Sequence, residues 1–324
     1  MFAQALDNRA ALEFAADVRR DLSKTPQREL HSKYLYDPIG TALFEVITAL
    51  PEYGLTRADE RLLRKHAPDI ARLLPSPTVV AELGSGSGRK TRSILEALAR
   101  RDYTRYYPID VSAAALRACR NELGTMDAVH LVEIEAAYVD GLRQVAARRN
   151  PGECLLVLFL GSTIGNFERG PAVEFLGQVR ELLAPGDALL LGADLVKPIP
   201  QLLAAYDDPI GVTAAFNLNL LARINRELGG DFHLPNFRHE ARYNEAERRV
   251  EMHLRSEIVQ TVTIRAADFQ FSLRAGETIW TESSHKFGLA EIREMARNAG
   301  YVCVEQWADA EWPFTESLLR VELP

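Results

Sequence analysis

The sequence predicts an α/β fold: a mainly parallel sheet covered by helices, with a second, α+β unit inserted into it. Three observations carry this prediction. A short apolar run at 78–83 breaks into a glycine turn and then a helical pattern, which indicates strand, turn and helix. The same alternation repeats as far as residue 194. Beyond residue 200, polar and apolar residues alternate, which is typical of antiparallel strands.

The strands of the first region are nearly continuous apolar runs, as a sheet with helices on both faces requires. We predict strands at 78–83, 106–109, 129–134, 154–161 and 187–193. We predict helices at 89–101, 112–123 and 172–183. The last of these stops at Pro185 and Gly186, which cannot continue a helix easily. This order of strands and helices predicts at least one half of a doubly wound α/β domain.

The region after residue 200 is expected to form a second unit. A helix at 213–228 is followed by predicted antiparallel strands at 238–244, 248–256 and 258–265. Helical periodicity returns at 289–300, and strands at 301–307 and 315–323 then complete the sheet that began at 78. The expected domains are therefore 1–57 with the insertion 197–286, and 58–196 with 287–324.

The composition favours a globular protein with a large core. Of the 324 residues, 47% are hydrophobic, and the formal net charge of −7 disfavours a nucleic-acid partner. The cysteines, Cys119, Cys154 and Cys303, have no spacing typical of a disulfide framework or zinc site, so we expect a reducing cytoplasm. No apolar run reaches the roughly 18 residues of a membrane helix, and the amphipathic start is unlike a signal peptide.

The glycine turn is the strongest local sign of a ligand site. Gly84, Gly86 and Gly88 follow a strand directly, so a ligand can approach the backbone beside a helix N-terminus. Asp110 ends the next strand, where an acid commonly accepts hydrogen bonds from ribose hydroxyls. This pattern fits S-adenosylmethionine or a dinucleotide, but Arg89 stands where the dinucleotide pattern requires glycine. A plain tight turn, with Asp110 as a helix cap, is the alternative.

Six segments, in this order, carry a resemblance to a known family: LYDPIGTALFEVITALPEY, AELGSGSGRKTR, FLGSTIGNF, LGADLVK, AYDDPIGVTAAFN and TESSHKF. From about residue 33 onward, the chain resembles the histidine N-alpha-methyltransferases of ergothioneine biosynthesis. The resemblance implies a Rossmann-like methyltransferase domain, a substrate-binding domain built from the N-terminus and the insertion, and S-adenosyl-L-methionine as cofactor. It also implies methylation of the α-amino group of free L-histidine, three times, to Nα,Nα,Nα-trimethyl-L-histidine (hercynine).

The cofactor residues expected from the glycine turn and the resemblance are Gly84, Gly86, Lys90, Asp110, Tyr138 and Gly161. Asp110 would bind the ribose, and Gly161 ends a strand that faces the same ligand. Tyr138 falls where the family places an aromatic residue against the adenine. The acid that usually precedes this residue is Ala137 here, which puts one hydrogen bond to the adenine in doubt.

The substrate residues that the resemblance implies are Tyr53, Asn166, Tyr206, Met252, Glu282 and Ser284. Asn166 and Tyr206 would hold the carboxylate and backbone end of the amino acid, while Glu282 and Ser284 would recognise the imidazole. Tyr53 would lie near the amine, and Tyr36 would help to shape the pocket. We expect Tyr53 and Tyr36 to be the catalytic residues, which relay the amine proton to solvent directly or through a water.

Each of these residues also has a plainer interpretation. Asn166 after a strand is typical of a turn, Met252 of a core, Glu282 of a solvated charge and Ser284 of a loop. His233 and His239, the closest relevant pair of histidines, lack metal-ligand spacing, and we expect no metal.

Three other functions stay open on the sequence alone. These are methylation of another amino acid such as tryptophan or tyrosine, a sensor that binds S-adenosylmethionine or an amino acid without turnover, and a nicotinamide-dependent oxidoreductase. Retention of Glu282 with Met252 favours histidine as the substrate. We expect a monomer that acts on a small molecule and has no nucleic-acid or membrane partner.

Overall fold

The computed structural model describes residues 2–321 of the chain, with side chains from residue 10 onward. The chain divides into two compact units. Unit 1 contains Met1–Tyr53 and Pro198–Ser284, and unit 2 contains Gly54–Lys197 and His285–Pro324. Residues 54–57 belong to unit 2 and not to the N-terminal unit, because they open a helix that packs within unit 2.

The helices of the described chain are α1 (Phe2–Leu22), α2 (Pro38–Ala49), α3 (Gly54–Leu73), α4 (Arg92–Ala99), α5 (Ala113–Leu123), α6 (Tyr138–Ala146), α7 (Arg169–Glu181), α8 (Ile199–Tyr206), α9 (Val212–Leu228) and α10 (Leu289–Asn298). The strands are β1 (Arg28–Glu29), β2 (Thr78–Leu83), β3 (Thr104–Asp110), β4 (Val129–Leu131), β5 (Ile134–Glu135), β6 (Cys154–Phe159), β7 (Ala188–Asp194), β8 (Phe237–Asn244), β9 (Arg249–Ser256), β10 (Gln260–Ile264), β11 (Phe269–Leu273), β12 (Thr278–His285), β13 (Tyr301–Ala308) and β14 (Phe314–Val321). None of the helices described here is long and apolar enough to cross a membrane.

Unit 2 is built on an eight-stranded sheet with the order β13-β14-β7-β6-β2-β3-β4, and β5 pairs with β3. The strands from β7 to β4 are parallel, as predicted. The two last strands of the chain join the same sheet, also as predicted. β14 lies between β7 and β13 and runs antiparallel to both. Every residue of β2, β6 and β7 is buried, which explains their continuous apolar sequences.

A hydrophobic core lies on each face of this sheet. Along β6, Val157 and Phe159 enter one core, whereas Leu156 and Leu158 enter the other, because successive side chains of a strand point to opposite faces. Helices α7 and α10 contribute to the first core, and α3 and α4 to the second. The α/β class predicted from the sequence is confirmed.

The order of the strands places a crevice beside β2. The chain continues from β2 to its neighbour β3, while β6 lies on the other side of β2. At such a reversal of strand order, open α/β sheets bind ligands beyond the carboxyl ends of the strands. Gly84 directly follows β2, and Gly161 lies two residues beyond the end of β6. Glycines therefore border both sides of the crevice.

The chain leaves unit 2 after Lys197 and re-enters it at His285, and both passages are fixed to the end of β7. The Asp194 carboxylate forms ion pairs with Lys197 and with Lys286, whose Nζ lies 3.0 Å from Oδ2. The Phe287 amide donates to the Asp194 carbonyl at 3.0 Å. Burial lowers the pKa of Lys197 to about 8. One buried carboxylate thus holds the departing and the returning segment.

Unit 1 contains a four-stranded sheet, β1-β12-β9-β8, and a separate hairpin of β10 and β11. β8 and β9 are antiparallel, as predicted, with Ala241 opposite Met252. The predicted strand at 258–265 forms β10, which pairs with β11 and not with the sheet. The segment that contains Ser284, interpreted as a loop, is instead strand β12, because it gains backbone partners on β9 and β1 that the sequence does not reveal.

Candidate functional site

The glycine turn of unit 2 depends on backbone angles that favour glycine. Gly84, Gly86 and Gly88 have φ values of +73°, +53° and +69°, where other residues are strained. The Gly84 amide donates to the carbonyl of Ile109 at 2.8 Å, which ties the turn to the end of β3. A side chain added at Gly86 would meet no atom within 4 Å, so this position faces open space. The turn can therefore accept a ligand against its backbone.

Asp110 connects this turn to the start of α5. Its Oδ2 accepts a hydrogen bond from the Gly86 amide at 3.3 Å, and its Oδ1 accepts one from the Ser112 amide at 2.9 Å. The cap of α5 is Ser112, whose hydroxyl accepts from the Ala115 amide. Each carboxylate oxygen keeps a second lone pair for a ligand hydroxyl. Burial raises the pKa of Asp110 above its usual value.

Tyr138 lies against the glycine turn. A side chain added at Gly84 would come within 3.3 Å of the Tyr138 hydroxyl, and the Tyr138 ring packs on Phe159 and Phe175 at centroid distances of 5.6 and 6.0 Å. Burial, together with the charge of Asp110, raises the pKa of Tyr138 to about 12, so the phenol is neutral. Ala137 is the N-cap of α6 and provides no capping side chain.

Lys90 reaches from the segment before α4 to the end of β6. Its ammonium forms an ion pair with Asp59 of α3 at 2.7 Å, and the Gly161 amide donates to the same Asp59 oxygen at 3.0 Å. A side chain at Gly161, whose φ is +69°, would approach Lys90 Nζ to 3.0 Å. Asp59 was not among the predicted residues. Its one sequence signal is its place on the buried face of α3, near Leu55, at helical spacing.

This crevice fits S-adenosylmethionine. Asp110 offers free lone pairs for ribose hydroxyls, and Lys90 offers a cation for the carboxylate of the cofactor. The Tyr138 ring and the side chain of Val111 offer apolar surface for a base, and Val111 is 62% exposed although it is hydrophobic. The open space at Gly86 lies in the same turn. Sequence reasoning did not single out Val111, because its exposure is visible only in the structure.

In unit 1 the fold brings together three predicted substrate residues from separate parts of the chain. The hydroxyl of Tyr206, at the end of α8, donates to the Ser284 hydroxyl on β12 at 2.7 Å. The rings of Tyr53 and Tyr206 meet edge to face with centroids 6.1 Å apart. All three residues are buried. They form a polar group inside an otherwise aromatic environment.

Tyr36 and Tyr53 lie on either side of Phe44. Their ring centroids are 5.5 and 6.4 Å from that of Phe44, and Tyr36 also contacts Phe216 of α9 at 5.5 Å. The four rings form a continuous aromatic wall in unit 1. Such a wall suits the apolar parts of a small ligand.

Glu282 and Ser284 are two positions apart on β12, so their side chains share one face of the strand. Met252 lies on β9 beside this strand, since the Thr281 hydroxyl donates to the Met252 carbonyl at 3.0 Å. Met252 is 2% exposed and forms part of the core of unit 1. A carboxylate and a hydroxyl on one strand face can bind two polar atoms of one ligand.

His239 and Asn217 form a hydrogen-bonded chain that ends at the backbone carbonyl of Tyr206. His239 Nε2 lies 2.7 Å from the Tyr206 carbonyl, and the Asn217 side-chain amide lies 2.9 Å from His239 Nδ1. A carbonyl only accepts, so Nε2 carries the proton and Nδ1 accepts from Asn217, which is the neutral form of histidine. Burial lowers the pKa of His239. Among the side chains of residues 10–321, no group of three metal-binding residues is suitable for a metal ion.

Asn166 belongs to unit 2 and ends a short 3-10 helix, Thr163–Asn166, beyond β6. Ser162 before it has a φ of +59°, and its hydroxyl accepts from the Asp194 amide at 2.9 Å. The turn is thus fixed to the end of β7. The contribution of Asn166 to a substrate site stays a prediction.

The crevice of unit 2 is that of a Rossmann-type α/β domain for a nucleoside cofactor, and the class it defines is the S-adenosylmethionine-dependent methyltransferases. Residues 14–321 match the family described as histidine-specific methyltransferase, SAM-dependent. The chain belongs to this family, which confirms the fold class, the cofactor and the family predicted from the sequence.

Several curated proteins are similar over almost the whole chain. A histidine N-alpha-methyltransferase of Mycobacterium tuberculosis is 42% identical, over 95% of this chain and 94% of the relative. A protein of the same name from Mycolicibacterium smegmatis is 41% identical over 95% of each chain. An L-tryptophan methyltransferase of Psilocybe serbica is 28% identical over 98% of this chain and 97% of its own.

Proposed function

We propose that this protein transfers methyl groups from S-adenosyl-L-methionine to the α-amino nitrogen of free L-histidine, three times, to give Nα,Nα,Nα-trimethyl-L-histidine. One observation carries the choice of substrate. Unit 1 gathers Tyr53, Tyr206 and Ser284 from three distant segments, and Glu282 shares the strand face of Ser284. The two mycobacterial relatives, at 41% and 42% identity, support the same reaction.

Unit 2 is the proposed cofactor domain. We assign the ribose to Asp110, the base to Tyr138 and the cofactor carboxylate to Lys90, with Gly84, Gly86 and Gly161 allowing close approach. When bound, the cofactor supplies an electrophilic methyl group on a sulfonium. The residues of the chain need only bind and orient, because such a displacement requires no covalent help from the protein.

Unit 1 is the proposed histidine domain. Glu282 and the Ser284 hydroxyl bind the imidazole, while Tyr206 binds the carboxylate and backbone end. A site built for a polar side chain rejects apolar analogues, since its buried groups would be left without partners. The hydrogen bond between Tyr206 and Ser284 fixes the hydroxyl that faces the ligand.

The amine reacts only in its neutral form, so a proton must leave it. We assign this step to Tyr53, with Tyr36 as the second tyrosine on the route to solvent. Both rings contact Phe44, which fixes their orientation. A Tyr53→Phe variant with an unchanged rate and pH profile would remove this assignment.

The protein should act as a cytoplasmic monomer. Neither of the buried thiols, Cys119 and Cys154, is in a disulfide, which suits a reducing compartment. Sedimentation of the purified protein tests the monomer, and a particle of twice the chain mass contradicts it.

The decisive experiment is a competition among substrates. The purified protein is incubated with S-adenosylmethionine and an equimolar pool of the twenty amino acids, and mass spectrometry identifies the methylated products. We expect three methyl groups on histidine alone. Methylation of tryptophan or tyrosine would keep the family and overturn the histidine assignment. Cofactor binding without any product would favour a sensor.

A further inference from the structure

Three buried carboxyl groups of unit 2 lie near the ammonium of Lys90, which forms an ion pair with one of them, Asp59. Asp59, Glu82 and Glu316 come from α3, β2 and β14 and are 0%, 2% and 1% exposed. If all three were ionised, the cluster would carry two excess negative charges away from water. Because burial of unpaired charge is costly, at least one of these acids has to be neutral.

Asp59 is the centre of the cluster. Its Oδ2 receives the Lys90 ammonium at 2.7 Å and the Gly161 amide at 3.0 Å. Its Oδ1 is buried, and within residues 10–321 no donor reaches it. One oxygen of Asp59 therefore accepts from two donors, while the other has room to accept a hydrogen bond from a neighbouring group.

Glu316 is that neighbour. It lies opposite Gly192 on β7, and a side chain added at Gly192 would come within 2.8 Å of Glu316 Oε1 and 3.3 Å of the Gly161 amide. The carboxyl group of Glu316 thus points to the end of β6, where Asp59 also binds. Both oxygens of the Glu316 carboxyl are buried, and within residues 10–321 no donor reaches them. Burial, together with the negative charge of Asp59, raises the pKa of Glu316 well above its usual value.

Glu82 has its own partners. Its Oε2 accepts from the Thr91 hydroxyl at 2.7 Å and from the hydroxyl of Tyr106. Burial raises the pKa of Glu82 to about 7.

The charged or titratable groups that face Glu316 are Asp59, Glu82 and Lys90. Its neighbours on β7 and β13 are Gly192 and Trp307, which carry no charge.

We propose that Asp59 and Glu316 share one proton, and that this acid pair is a positioning device for the cofactor site. Glu316 donates to Oδ1 of Asp59, and Asp59 in turn holds the Lys90 ammonium and the Gly161 amide. Lys90 is then fixed to meet the carboxylate of S-adenosylmethionine, the one anionic group of that molecule. This inference rests on the cofactor assignment of the proposed function and does not depend on histidine.

The test compares two variants of Glu316. Glu316→Gln keeps an N–H that can donate to Asp59, whereas Glu316→Leu removes the donor but keeps the bulk. We measure the Kd of S-adenosylmethionine by calorimetry, without histidine, from neutral to alkaline pH. The Leu variant should bind about tenfold more weakly, and Gln should restore the affinity. Wild-type affinity should fall at alkaline pH, where Glu316 loses its proton, and the Gln variant should lose that fall.

Infrared spectroscopy gives a readout that is independent of cofactor and activity. The C=O band of a buried carboxylic acid should be present in the wild type at neutral pH. Glu316→Gln should remove the Glu316 part of this band and leave only the smaller part that comes from Glu82, whereas Glu82→Gln should keep the Glu316 part. Persistence of the full band in Glu316→Gln, or equal loss of affinity in the Gln and Leu variants, would overturn the shared proton. If the Leu variant does not fold, the Gln variant decides through its band and alkaline profile. Failure of the histidine assignment would leave all of these results unchanged.

Discussion

The cofactor crevice of unit 2 and the proposed histidine region of unit 1 are built in different ways. In unit 2, ligand groups come from a turn of consecutive residues and from strand ends that one sheet brings side by side. In unit 1, they come from side chains of Tyr53, Tyr206 and Ser284, which are far apart in the chain. Backbone geometry supports the first site and side-chain packing the second. We therefore expect ligand binding at the first site to weaken when its glycines gain a side chain. Binding at the second site should weaken when a polar atom is removed.

The largest effect is expected for Gly86→Ala. A side chain at φ +53° costs about 1 kcal/mol of stability, and it would project into the open space of the turn. We expect the Kd of S-adenosylmethionine, measured by calorimetry, to rise about 100-fold. The matched control is Gly186→Ala, which also has a positive φ, +91°, and open space around it. Equal cofactor affinity in the two variants would contradict the role of the turn.

Removal of the Glu282 carboxylate should come next. We expect Glu282→Ala to lower kcat/KM for histidine at least about 100-fold, because the imidazole loses a charged partner. Cofactor affinity should not change. Combination with Met252→Val should enlarge the pocket and shift preference toward aromatic amino acids. The control is Glu245→Ala, an exposed acid in the turn between β8 and β9. A variant that keeps the preference for histidine would refute the imidazole assignment.

Removal of the hydrogen bond between Tyr206 and Ser284 should have a moderate effect on histidine binding. We expect Tyr206→Phe and Ser284→Ala each to raise the KM for histidine about tenfold, with a smaller change in kcat. Because the two hydroxyls bind each other, the double variant should be little worse than either single one. Steady-state kinetics of the four proteins completes the cycle. Strictly additive effects would mean that the hydroxyls act independently.

Ala137→Asp should increase the stability of unit 2. Ala137 is the N-cap of α6 and offers no acceptor, whereas aspartate is a favoured N-cap. We expect thermal unfolding to show about 1 kcal/mol of added stability, and cofactor affinity to rise if the acid also reaches the base. Ala137→Gly, which lacks an acceptor too, is the control. A stability below that of the wild type would contradict the capping role.

The smallest expected effect is a dependence of protein stability on pH. Unfolded histidine takes up a proton below about pH 6.5, but buried His239 resists it, since its pKa is lowered. The unfolded state then binds more protons, so the free energy of unfolding of unit 1 should decrease as the pH falls below about 6.5. His253, whose pKa burial also lowers, acts in the same direction. Denaturant unfolding of His239→Gln at several pH values should show a weaker, though not absent, dependence.

Local sequence patterns predicted unit 2 well. Buried parallel strands such as β6 are apolar along their whole length, and the glycine turn is contiguous, so both are visible within a few residues. The same reasoning missed Asp59 and Glu316, since an acid in a core is explained only by a partner distant in the chain. The direction of β14, which is antiparallel to both β7 and β13, was likewise hidden, because apolar content does not reveal strand direction.

Unit 1 could be predicted only in part. The alternation in β8 and β9 indicated their pairing, but β12 was interpreted as a loop because TESSHKF is polar and lacks a strong strand pattern. Its pairing with β9 and β1 is a tertiary effect. The substrate residues were reached through family resemblance alone. Nothing near Tyr206 in the sequence indicates that its hydroxyl meets Ser284, 78 positions later.

The ion pairs of Asp194 with Lys197 and Lys286 affect how such a chain can change over evolutionary time. The chain departs from unit 2 and returns to it at one point, where Leu195 and Phe287 form a β-bridge and Asp194 holds Lys197 and Lys286. A segment that begins and ends at one place can be lengthened, shortened or exchanged without stretching its host. The same methyl-donor module can therefore carry different insertions, each one a separate solution for a different acceptor molecule.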